Sequence, residues 1–151
     1  TVTDTTGANY TCGNASASGT LQLTQLHQPP EITDATLVEN NTVLTNLQVP
    51  NNTIVQYLSN KTLTVTAVYD DSEIDICNVY HNNVLIGTSN TNEVPLNFAN
   101  VGELITTETN GTHYVGLNVA VKDQKNGYST RMFNFSVIKY TRPIIEKRMN
   151  W

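Results

Sequence analysis

Alternation is the feature that most constrains this chain. Residues 62–69, TLTVTAVY, put Leu63, Val65, Ala67 and Tyr69 on one face and Thr62, Thr64 and Thr66 on the other. Residues 113–121 repeat the pattern with Val115, Leu117, Val119 and Val121, and residues 130–140 with Phe133, Phe135 and Val137. Successive side chains of a strand point to opposite faces, so a period of two predicts strands with one buried face. No segment sustains the 3.6-residue period of an amphipathic helix. Further strands are predicted at 20–26, around Leu37-Val38, over Val43 to Val49, and at 74–80, 84–89 and 94–98. Pro29-Pro30, Pro50-Asn51-Asn52, His81-Asn82-Asn83 and Asn126-Gly127 punctuate them as turns. Seven or more short strands about ten residues apart predict an all-β fold, a β-sandwich.

The surface is wet without being highly charged. Charged residues make up 14% of the chain, well below the roughly 25% of ordinary domains. Asn and Thr take their place, with 20 and 23 of the 151 positions. Net charge is −5, and the eight Lys and Arg are scattered until Arg142, Lys147 and Arg148. That excludes the concentrated basic face of a nucleic-acid binder. No run of about 18 apolar residues exists, so no membrane span is predicted. A chain that begins at Thr1 fits a processed, extracellular protein or a chosen boundary.

The most specific pattern is the acceptor tripeptide N-x-S/T, present at Asn9, Asn14, Asn40, Asn51, Asn60, Asn110 and Asn134. It works on exposed segments, where the third-position hydroxyl helps present the amide. Asn51, Asn60 and Asn110 occupy turn-like stretches, and Asn134 alternates away from Phe133 and Phe135. Covalent N-linked glycans are therefore expected, with no other cofactor. Cys12 and Cys77 form an even pair, as expected of a disulfide in a secreted protein. Two buried thiols, or a bond between subunits, remain open.

Little points to catalysis. His27, His81 and His113 share no metal-ligand spacing. No Gly-rich phosphate loop or Gly-x-Ser-x-Gly elbow occurs, and no enzyme activity is expected. Asp70, Asp71, Glu73 and Asp75 are weak Ca²⁺ candidates, although a solvated acidic loop is the plainer reading.

From about residue 60 to 140 the chain resembles the immunoglobulin-like repeats of prokaryotic surface proteins. The pieces that carry the resemblance are LTVTAVYDDSEID, VYHNNVLIGTS, PLNF, HYVGLNVAVKDQKNGYST and FNFSVIKY, with Asp70, Gly87, Asp123, Gly127 and Ser129 at its characteristic positions. The resemblance implies a surface-located, immunoglobulin-like sandwich. With its sequons and polar N-terminal third, the whole chain is similar to archaeal thread-type pilins. That implies a pilin-like β-sandwich head, residues 29–151, and an extended N-terminal arm, residues 1–28. It also implies a filament of copies joined head to tail by donor-strand complementation, serving adhesion to other cells or to surface glycans. Leu21, Leu23 and Leu26 are the expected donor side chains. The C-terminal segment with Ile144, Ile145, Met149 and Trp151 is a competing donor, and both ends could instead fold back on their own subunit. Other readings are a monomeric receptor-binding cell-surface or viral ectodomain, or an accessory carbohydrate-binding domain.

Overall fold

The computed structural model describes residues 26–140. It is a two-layer all-β structure. One sheet has three strands, in the order β1 (Glu31–Glu39), β3 (Asn60–Val68), β6 (Glu93–Asn97). The other runs β2 (Thr53–Val55), β9 (Tyr128–Ile138), β8 (Thr112–Asp123), β4 (Ile74–His81), β5 (Val84–Ser89). A ninth strand, β7 (Thr106–Thr109), pairs with residues 112–115 of β8, just beyond the stretch that β4 covers. All pairings are antiparallel except β2 with β9, which is parallel.

The alternating residues fill the space between the sheets. Leu37, Leu63, Val65, Val94 and Leu96 from the small sheet meet Val79, Val115, Leu117, Val119 and Phe135 from the large one. Burying each such side chain contributes about 1.5–3 kcal/mol, and together these residues account for the closure of the two layers.

Several predicted elements differ in kind or extent. Val43 to Val49 is not a strand. Residues Thr42–Asn46 form one turn of helix, α1. Asn41 caps it, accepting from the amides of Val43 and Leu44, and a side-chain acceptor at that position competes directly with extended backbone. β1 starts at Glu31, straight after Pro30, and β2 and β7 were not legible as strands at all. The hairpin at Asn82-Asn83 has both residues at positive φ, 51° and 65°, the conformation that joins strands without splaying them.

The two ends of the sandwich differ. β3 and β8 run toward one end, where loop 69–73 and turn 124–127 meet residues 26–30. This is the near end. β4 and β9 run toward the other, where α1, the β4–β5 hairpin and the Phe98–Asn100 turn gather. This is the far end. The two long sides differ as well. Along β1 and β9 the sandwich is sealed, because the Arg131 guanidinium donates to the carbonyls of Ile32 (2.9 Å) and Thr33 (3.1 Å) and the Ser129 hydroxyl donates to the Pro30 carbonyl. Along β5 and β6 both strands have one unpaired edge.

Candidate functional site

The unpaired edges of β5 and β6 flank an open groove of about 680 Å³ at the far end. Val84, Leu85 and Ile86 form one wall, Pro95 and Asn97 the other, and Val101, Ile105, Asn60, Asn82, Asn100 and Glu103 line the rest, so polar and apolar residues share the groove. Val84 and Ile105 are each 61% exposed. His81 also lines the groove. Its Nε2 accepts from the Ile105 amide at 3.0 Å, and burial lowers its pKa, which favours the neutral ring that such an acceptor needs. Toward the near end the edges converge. A Cβ on Gly87 would lie 2.9 Å from Val94 Cγ1 and still closer to Leu96, so only glycine allows β5 to approach β6 there. A smaller cavity of about 260 Å³ then opens beside Val65–Ala67, Tyr69 and Ile74.

The far end is also the more apolar end. Of the twelve large exposed apolar side chains among the described residues, seven belong to it: Val43 on α1 and Leu47 just after it, Leu58 after β2, Val84, Leu85 and Ile105 at the groove, and Ile138 at the end of β9. Exposed apolar side chains gathered at one end mark an interaction surface more often than scattered ones do.

The near end is polar and built around His27. Its Nδ1 lies 2.6 Å from Asp71 Oδ1 and its Nε2 2.5 Å from Asp123 Oδ2. The Asp123 side chain is fully buried, and its other oxygen accepts from the amides of Lys125 (2.9 Å) and Gly127 (2.7 Å). Two nitrogens that both face carboxylates must both donate, which requires the imidazolium. The Asp123 bond, followed by Asp71, outweighs desolvation and raises the His27 pKa. His27, Asp70 and Asp71 bring one potential ligand atom each within 4.8 Å of one another. The short Nδ1–Asp71 contact is a hydrogen bond, so the three side chains form an ion-pair cluster whose ligand atoms are also close enough together for one cation. Lys125 also bonds Asp71, and Lys122 pairs with Asp75. These members of the acidic stretch thus face cationic side chains of the protein.

The other predicted residues fall into two groups. Asn40, Asn51, Asn60, Asn110 and Asn134 are all exposed, and Asn60 stands at the groove. Leu26 is 75% exposed. Cys77 is fully buried in the core, makes no disulfide among the described residues, and has its pKa pushed up to about 11 by burial. Leu21, Leu23, Asn9, Asn14, Cys12 and the C-terminal Ile144, Ile145, Met149 and Trp151 lie outside the described residues. The pilin resemblance implies a groove with two open edges, but the residues that line it escaped sequence reasoning. Its one trace is the unbroken apolar run Val84-Leu85-Ile86, too short to separate an exposed edge from a buried strand. No local signal ties His27 to carboxylates 44 and 96 residues away.

Among the described residues no helix is long and apolar enough to cross a membrane. Comparison with protein-family models, with characterised proteins and with solved structures finds no match to this chain.

Proposed function

We propose that this chain is a structural subunit of a glycosylated extracellular filament. One copy donates an N-terminal segment to the groove of the next. The observation that carries this reading is an open groove between two unpaired strand edges, with Val84, Leu85, Ile86, Pro95, Val101 and Ile105 beside polar residues in its lining, at the end opposite the arm's root. Unpaired edges beside apolar walls suit β-strand addition, in which main-chain bonds give affinity and alternate side chains fill pockets.

Reach favours a second copy. His27 holds residue 27 at the near end. The eight steps of β3 from Val68 back to Asn60 span about 26 Å. Leu21 and Leu23 lie five and three residues before Leu26, at most about 18 and 11 Å of extended chain. They fall short of their own far end but can enter that of another copy. A contact between opposite ends does not close on itself, so it propagates as a filament.

Strand order supports the immunoglobulin-like resemblance. β1, β3 and β6 correspond to strands A, B and E of such sandwiches, and β4, β8 and β9 to C, F and G. The fourth position of the small sheet, beside β6, has no occupant among the described residues, and a donated strand would supply it. The five exposed sequon asparagines are consistent with an extracellular, glycosylated surface.

One observation favours a second reading. The 260 Å³ cavity lies toward the near end, within reach of the same chain's arm. An arm folded there would give a monomeric ectodomain. Electron microscopy and mass measurement of the native material separate the two. The expected result is filaments that are lost on deletion of residues 1–26 and with the groove pair Val84→Lys and Ile105→Lys. Monomers in every case would refute the filament reading and favour the ectodomain.

A further inference from the structure

We propose that residues 141–151 cover the groove of their own subunit before assembly. The chain leaves β9 at the far end, the end that carries the groove. The inference rests on the filament reading only for the strand that later displaces this segment.

Three contacts place the exit beside the groove. The Gln56 side chain donates to the Tyr140 carbonyl at 3.4 Å and accepts from the Leu104 amide at 3.0 Å. Gln56 is itself buried, so it holds these two backbone segments close together. Lys139 Nζ lies 3.6 Å from Glu103 Oε2. Glu103 and Ile105, on either side of Leu104, line the groove. Residue 140 is thus anchored at the groove's rim. The eleven residues that follow it reach about 36 Å when extended, and Ile145 comes after about 17 Å.

The chemistry of the segment suits the mixed lining. In an extended chain Ile145, Met149 and Trp151 share one face, with Lys147 among them. The apolar three match Val84, Leu85 and Ile105, and the lysine matches Glu103, the lining carboxylate. Arg142 and Arg148 add to the positive charge against a single acid, Glu146. The main chain of the segment meets the unpaired edge of β6, the position that a donated strand takes in the filament. The tether decides whose segment enters. A short linker sets an effective concentration in the mM range, so a chain's own segment fills the groove ahead of another copy's. Covering an edge in this way keeps unassembled subunits from pairing at random.

Trp151 is the chain's only tryptophan, so its fluorescence reports on the segment directly. In the unassembled full chain its emission should be blue-shifted and shielded from acrylamide. Two paired variants should each expose it: Val84→Lys with Ile105→Lys in the groove, and Ile145→Lys with Met149→Lys in the segment. In the second pair, amide exchange along the β6 edge should rise by up to about tenfold, the worth of one main-chain hydrogen bond. β8 should stay protected in both pairs and report an intact fold. Fully solvated emission from the unassembled full chain would overturn the inference, as would shielding that survives the groove pair. Shielding lost on dilution would also overturn it, because a second copy's segment would then fill the groove. Excess synthetic peptide of residues 1–26 should expose Trp151 by displacement. A peptide without effect, alongside exposure by both variant pairs, would uphold the covering segment and count against the donor strand of the filament reading.

Discussion

Glu39→Gln probes the least forgiving contact in the head. Lys61 Nζ and Glu39 Oε1 lie 3.2 Å apart, with side chains 0% and 2% exposed. Nζ has no hydrogen-bond partner among the described residues, so the carboxylate's charge is what balances it. The carboxylate accepts from Ser59 Oγ (2.8 Å) and from the amides of Asn60 (2.9 Å) and Asn41 (3.1 Å). Burial pushes the Glu39 carboxyl up, but these bonds and Lys61 outweigh it and leave it below its ordinary value. Burial likewise pulls Lys61 below its ordinary value, against the attraction of Glu39. Glutamine keeps the shape and removes the charge. Stranding one partner of a buried pair costs about 3–5 kcal/mol. Lys61 can escape by releasing its proton. From an ordinary value near 10.4, that costs about 4.6 kcal/mol at pH 7, which caps the deficit. The variant's folded state then binds one proton fewer than its unfolded state. Its deficit should therefore shrink by about 1.4 kcal/mol per pH unit as pH rises toward the lysine value. Urea unfolding at pH 7, 8 and 9 measures this. Adding Lys61→Met should recover most of the loss, because apolar replacements of buried pairs are often neutral or better. A deficit below about 1 kcal/mol at pH 7, or one that ignores pH, would refute the argument.

Two further outcomes follow from the same geometry. Gly87→Val should cost about 1–3 kcal/mol by overpacking and push β5 away from β6, measured by urea unfolding and by exchange in both strands; an unchanged midpoint would contradict the close approach. Cys77, buried and with a pKa near 11, should resist alkylation at pH 8 in the native chain. In urea without reductant it should label if free and stay unlabelled if paired with Cys12, whereas rapid native labelling would contradict its burial.

Alternation alone identified the layers. Leu63, Val65, Val115, Leu117 and Phe135 were legible as core because a strand's two faces are separated by one residue, and all five are buried. The turns at Asn82-Asn83 and Asn126-Gly127 were legible because asparagine and glycine tolerate positive φ. The apolar residues from Val43 to Val49 read as a strand, and the local signal that overrides them is Asn41, which caps α1 through the amides of Val43 and Leu44. Local signals could not reveal β2, whose three residues form a strand only by lying parallel to β9. The same limit applies to function. Sequons are tripeptides and can be read directly. The groove arises because three strands face a larger sheet, and the His27 cluster arises because two distant loops reach the same end. Both are contacts between residues far apart in the chain, so only the tertiary structure could decide them.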